Sequence, residues 1–153
     1  MQLLGSVTVD PGTGDVELLD CLVVEDVGRI VNPLTLRGQA IGGMVQGLGG
    51  AFLEDLVYDA NGQLLAGNLA DYLIPTATDF PKIRAIALEN HRSPSNPLGV
   101  KGAGEGAIIP IGGLMANAVA NALASFGAMP NVPLSPARIW HMGSAKQSIG
   151  SSE

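Results

Sequence analysis

Between Asn32 and Phe52 the chain reads NPLTLRGQAIGGMVQGLGGAF, a stretch with helical periodicity in which six positions are nevertheless glycine. Asn32 is suited to cap a helix and Pro33 to open it, since Asn accepts from the first free amides and Pro has no amide to leave unpaired. Leu34, Ile41, Met44, Val45, Leu48 and Phe52 then recur at helical spacing, which predicts a helix of roughly 20 residues. Each internal glycine costs about 1 kcal/mol relative to Ala. Gly38 and Gly42 lie four apart, as do Gly43 and Gly47, so each pair shares a face. A helix thinned in this way needs a close neighbour, either backbone or ligand, and the pattern alone favours packing. Gln46 is a polar side chain carried along this thin helix.

The remaining segments follow ordinary strand and turn chemistry. GSVTVDPGTGDVELLDCLVVEDVG predicts two strands around a DPGTG turn, with Pro11 at its first corner and Gly12 and Gly14 free to take positive φ. The second strand is nearly continuous in apolar residues from Val16 to Val24, as in a strand covered on both faces. Asn61–Gly62 marks a short hairpin, and residues 82–90 read as a strand with Ile83, Ala85 and Ala87 on one side. HRSPSNPLGVKGAGEG is a long loop, and loops of that length in small domains tend to be functional. A second helix is expected over 107–126, ending near Gly127 and Pro130, and then a short one with Ser135 as its cap and Pro136 in its first turn. The expected fold is α+β, one mixed sheet with two long glycine-rich or apolar helices, as a single domain over 1–143 with a flexible tail at 144–153.

Composition narrows the function classes. Only 14% of the 153 residues are charged and 46% are apolar, against about 25% charged in an average domain. Such a chain is expected to hide surface against a partner subunit or the remainder of a larger polypeptide. A net charge of −6, eight scattered Lys and Arg and 4% aromatics give no footprint for nucleic acid. Cys21 is the sole cysteine, which excludes an internal disulfide, fits a reducing, cytoplasmic compartment, and reads as a small buried hydrophobe. No signal peptide is evident. Residues 40–53 are too few to span a membrane, and 107–129 is broken by Pro110, Asn117 and Asn121, so no membrane span is expected. His91 and His141 have no Cys or carboxylate at ligand spacing, so no metal ligand is expected. Asp26, Asp71 and Asp79 are expected to form ordinary salt bridges with Arg29 or Arg84. Ser6, Ser93 and Ser95 lack the partners of a nucleophile.

PLGVKGAGEGAIIP, from Pro97 to Pro110, sets one carboxylate, Glu105, among glycines before an apolar run. It is neither a dinucleotide fingerprint, for want of a preceding strand, nor a phosphate-binding P-loop, since the Lys comes first. Glycines at 102, 104 and 106 allow a ligand to approach the backbone closely, and a helix start there would offer free donors and hold a carboxylate ionised. Glu105 is then either a charge that improves the first turn of the second helix, which the pattern alone favours, or a general base.

Taken in order, DPGTGDVELLDCLVVEDVGRIVNPLTLRGQAIGGMVQGLGGAFLED, DYLIPTATDFPKI, SPSNPLGVKGAGEGAIIP and LSPARIW resemble the C-terminal end of the molybdenum-binding large subunit of the xanthine dehydrogenase/aldehyde oxidase/carbon monoxide dehydrogenase family. The resemblance runs from Val7 to Trp140, and the pairing of GQAIGGMVQGLG with GVKGAGEG is its specific part. It implies that Glu105 is the active-site base beside the metal and that Gln46 hydrogen-bonds the pterin cofactor. Lys101, Gly102, Ala103 and Gly104 match the loop whose backbone runs against the cofactor. The implied cofactor is molybdopterin with molybdenum, in the plain or the cytosine dinucleotide form, and no residue of this chain is implied as a metal ligand. The implied reaction oxidises an aldehyde, an N-heterocycle or carbon monoxide with water-derived oxygen. The implied partners are the rest of the large subunit, a small subunit with 2Fe–2S clusters, a medium subunit with FAD, and further copies in a homo-oligomer. Upstream cofactor loops, iron–sulfur cysteines and a flavin motif are absent from the sequence, so the segment by itself is expected to be inactive. The alternative is a non-catalytic fragment or assembly module that keeps the fold and a subunit interface.

Overall fold

The computed structural model describes residues 1–80, 82–124 and 131–142. Strands β1 (Gln2–Val9) and β2 (Val16–Asp26) form the hairpin that the DPGTG turn predicts. Of the two candidate glycines, Gly14 alone takes a positive φ, +80°. The turn closes with Gly14 N–H donating to Asp10 O at 2.7 Å and Asp10 N–H to Asp15 O at 2.9 Å. A bulge opposite Ser6 and Val7 skips one residue of β2, so Leu18 and Cys21 share the buried face although they stand three apart.

Strand β2 pairs in parallel with β3 (Ile83–Leu88), Cys21 opposite Ile83 and Asp26 opposite Leu88. The sheet is therefore mixed, in the order β1-β2-β3, and the α+β expectation holds. The expectation that β2 is covered on both faces does not hold within this chain. Cys21 and Val23 of β2 are buried on one side, whereas on the other Leu22 and Val24 are half-buried and Leu19 is exposed, as are Leu4 of β1 and Ile86 of β3. An apolar run fills both faces of a pleated strand, and among the described residues one face is fully buried and the other only partly covered. Cys21 has the structural part expected of it, since burial is the first cause that pushes its thiol up to about 11.

Helix α1 (Pro33–Phe52) starts where the sequence predicts, with Asn32 Oδ1 accepting from Leu34 N–H at 3.0 Å and Thr35 N–H at 3.2 Å. Ala40, Met44, Leu48, Gly49 and Ala51 are its buried residues. Leu34, expected in the apolar stripe, is 79% exposed because it lies in the first turn, beyond the edge of the core. Helix α2 (Ile111–Ala122) is shorter than the expected 107–126. Pro110 disfavours helical backbone at Ile109, so residues 106–110 form turns and the helix starts after the proline. At the other end Ala124 has φ 51° and breaks the helical path; Gly127 and Pro130 lie outside the described residues. A short helix over 136–142 follows Ser135 as expected, and the tail at 144–153 also lies outside the described residues.

The Asn61–Gly62 turn forms, with Gly62 at φ +81°, but it joins a single antiparallel bridge, Tyr58 to Leu64, rather than two regular strands. The core is built from Cys21, Val23, Met44, Leu48, Ile111, Met115, Val119, Leu134 and Ile139. Burying a side chain such as Leu48 contributes about 1.5–3 kcal/mol. Among the described residues no helix is long and apolar enough to cross a membrane.

Candidate functional site

Strand β2 ends at Asp26, and that carboxylate ties three segments together. Asp26 Oδ1 accepts from Gly28 N–H at 3.0 Å and from Lys101 Nζ at 3.3 Å. Asp26 Oδ2 accepts from His91 N–H at 2.9 Å and lies 3.0 Å from His91 Nδ1. These bonds, that from Gly28 N–H first, hold the Asp26 carboxyl well below the usual carboxylate range. The salt bridges expected for it with Arg29 or Arg84 do not form. Arg84 sits opposite Leu22, four residues before the Asp26–Leu88 pair, which is about 13 Å along the strand. Arg84 pairs instead with Asp20, while Asp71 accepts from Asn68 and Asp79 from Thr76.

Just past Asp26 the chain crosses the 99–101 loop at close quarters. Arg29 N–H donates to Gly99 O at 3.1 Å, and Lys101 N–H donates to Val27 O at 3.0 Å. Gly28 and Gly99 have φ of +68° and +69°, and a Cβ on Gly28 would lie 2.2 Å from Gly99 O. The start of the GVKGAGEG loop is thereby fixed to the end of the sheet.

From Lys101 the loop runs alongside α1 in the same direction. A Cβ on Gly104 would lie 3.8 Å from Gln39 Nε2; one on Gly43 would lie 3.5 Å from Ala107 Cβ; one on Gly47 would lie 2.8 Å from Ile111 Cβ. The two glycine pairs of α1 thus part company. Gly43 and Gly47 admit the incoming chain, as the packing reading expects, whereas a Cβ on Gly38 or Gly42 would meet nothing within 4 Å among the described residues beyond the helix's own backbone. A groove of about 270 Å³ separates loop from helix, lined among others by Asn32, Thr35, Gln39, Lys101, Ala103 and Gly104. The backbone N–H groups from Gly102 to Gly106 make no hydrogen bond among the described residues. The larger hollow, about 400 Å³ beside Phe52, Phe80 and Leu134, contains none of the candidate residues.

Lys101, Ala103 and Gly104 therefore come together, with Gly102 between them. Glu105 is exposed at the end of this strip and makes no side-chain hydrogen bond or ion pair among the described residues. It stands six residues before the first residue of α2, so it is not a first-turn helix charge. Gln46 is exposed on α1 and does not line the groove. Gln39 does, and sequence reasoning passed it over. Its signal was its spacing: it lies seven residues before Gln46 and so shares a helix face with it, about 10.5 Å away along the axis.

A family model described as the molybdopterin cofactor-binding domain matches residues 4–81. The gamma subunit of the 6-hydroxypseudooxynicotine dehydrogenase complex of Paenarthrobacter nicotinovorans is 39% identical over 137 residues, 90% of this chain and 17% of that one. The xanthine dehydrogenase molybdenum-binding subunit of Escherichia coli O157:H7 is 37% identical over 134 residues, 87% of this chain and 17% of that one. Quinoline 2-oxidoreductase from Pseudomonas putida 86 superposes with a TM-score of 0.82 at 40% identity, covering 89% of this chain and 17% of that one. The chain thus spans about a sixth of the length of the curated relatives it matches.

Proposed function

The chain belongs to the molybdopterin cofactor-binding family of the xanthine dehydrogenase, aldehyde oxidase and carbon monoxide dehydrogenase molybdenum subunits, and we propose that its Lys101–Glu105 strip faces that cofactor, with Glu105 as the active-site base. The observation that carries this reading is the row of N–H donors from Gly102 to Gly106 beside an open groove. Successive backbone N–H groups without side chains in the way are suited to an anionic or acceptor-rich ligand, and a cofactor with a phosphate and a pterin edge is of that kind. Gly102 has nothing within 4 Å of its missing Cβ, and Gly38 and Gly42 leave α1 equally bare. The residues present therefore fit the group.

In this reading Lys101 fixes the start of the strip through Asp26, and the amides of Gln39 and Gln46 supply directional hydrogen bonds from one face of α1. Glu105, exposed and without a side-chain partner among the described residues, accepts a proton from the oxygen nucleophile as it attacks. When bound, molybdopterin with molybdenum, in the plain or cytosine dinucleotide form, supplies the acceptor for the substrate's electrons. The substrate class is an aldehyde, an N-heterocycle or carbon monoxide, oxidised with water-derived oxygen. The partly covered sheet face with Leu4, Leu19 and Ile86 fits contact with further parts of a large subunit. Partner subunits with 2Fe–2S and FAD groups, a homo-oligomeric assembly and a cytoplasmic, reducing location complete the proposal.

Gly104→Leu tests it, because a side chain at that point fills the groove without meeting backbone. The assembled protein carrying it is expected to lose molybdenum and released pterin, measured by elemental analysis and pterin fluorescence, while keeping its fold by circular dichroism. Wild-type cofactor content in the variant would contradict the placement. A wild-type protein that never contains molybdenum or pterin would favour the assembly-module reading.

A further inference from the structure

Glu25 is the one buried charged residue type among the described residues, 7% exposed on the core side of β2 between Val23 and Val27. A strand at that position ordinarily carries another Val or Leu. Its Oε1 is out of contact with solvent and has no hydrogen-bond partner among the described residues. Its Oε2 lies 2.8 Å from where a Cβ on Gly106 would stand, so the carboxyl fills the space beneath the residue that follows Glu105. A cavity of about 70 Å³ on its other side is bounded by Leu36, Arg37 and Ala40 of α1 and by Ala85 and Ala87 of β3.

We propose that Glu25 is a positioning residue, a neutral acid that braces the Gly104–Ala107 turn from below and so holds Glu105 in place. A buried carboxylate without a partner is strongly disfavoured, so burial favours the protonated form. Burial accordingly pushes Glu25 above the usual carboxylate range, with the Met1 amino group pulling the other way. The other charged groups near it are Arg37, itself exposed on α1, and Glu105 on the turn; β3 offers only Ala85, Ile86 and Ala87 there. A neutral brace adds no second charge beneath Glu105. It also explains why residue 106 is glycine, since a side chain there would displace the carboxyl.

The sign of the pH effect follows from the raised value. Below about pH 4.3, the ordinary glutamate value, Glu25 is protonated whether the turn is closed or open. As pH rises above that, the open form releases the proton and the closed form keeps it, so closure weakens. The test compares Glu25→Gln, neutral at every pH, with wild type in the assembled protein by amide hydrogen exchange at Ile108, whose N–H donates to Glu105 O across the turn. Wild-type protection is expected to fall relative to the variant as pH rises above about 4.3, by a factor of up to about 10 for each pH unit of the shift. Glu25→Met, which is neutral and apolar, is expected to track Glu25→Gln and serves if the amide variant does not fold. A wild-type to variant ratio that is constant with pH overturns the proposal. Its consequence for turnover rests on Glu105 being the base: the alkaline limb of kcat/KM is expected to be steeper in wild type than in Glu25→Gln. If Glu105→Gln retains turnover while the exchange ratio still moves with pH, the brace stands and the base assignment falls.

Discussion

Glu105→Gln is expected to lower turnover of the assembled protein by a factor of about 10²–10⁴, the usual contribution of a positioned base, with molybdenum and pterin content unchanged. Gln keeps the volume and the hydrogen-bonding reach of Glu and removes only the proton acceptor. Because Glu105 is exposed and engages no side chain among the described residues, stability should move by no more than about 0.5 kcal/mol. The structure sharpens this expectation. Had Glu105 been a first-turn charge of α2, the substitution would have cost helix stability and left chemistry alone. It lies six residues before Ile111, on the strip beside the groove. Steady-state kinetics with cofactor analysis on the same preparation checks the result, and near-normal turnover would refute the assignment.

The largest structural effect is expected at Gly28, far from Glu105 in sequence order but attached to the same loop. Gly28→Val places a β-branched side chain at φ +68° and a Cβ 2.2 Å from the carbonyl oxygen of Gly99. Left-handed backbone at such a residue costs about 1–3 kcal/mol by itself, and the backbone collision forces the 99–101 loop away from Val27. A loss of about 3 kcal/mol or more is expected, read as a lower denaturation midpoint, together with loss of cofactor as Lys101 is released from Asp26. Gly102→Ala is the matched control, since a Cβ there would meet nothing within 4 Å among the described residues. Equal midpoints for Gly28→Val and Gly102→Ala would contradict this account of the loop anchor.

Much of this fold was legible because its signals are local. The DPGTG turn, the Asn32–Pro33 opening and the period of α1 each depend on residues within a few positions of one another, and all three appear where predicted. The limits of α2 were not legible from periodicity, because residues 107–110 continue the apolar run while Pro110 forbids its helical backbone. For the site, GVKGAGEG and the glycine helix were recognisable as a pair, but their contact was not. Only the folded chain shows Gly104 against Gln39 and Ala107 against Gly43. The Asp26 clamp was read as a generic salt bridge for the same reason: its partners, His91 and Lys101, lie 65 and 75 residues away. Glu25 was invisible in sequence because a charged letter in an apolar strand does not reveal which face it takes.

The central claim is that the Lys101–Glu105 strip faces molybdopterin. Diffraction from crystals of the assembled protein, collected on either side of the molybdenum absorption edge, locates the metal without reference to any assignment. The account predicts one molybdenum peak on the open side of the strip, next to Glu105 and in line with the groove between the loop and α1. A peak elsewhere, with the groove filled by protein and Glu105 turned away from the metal, would contradict it.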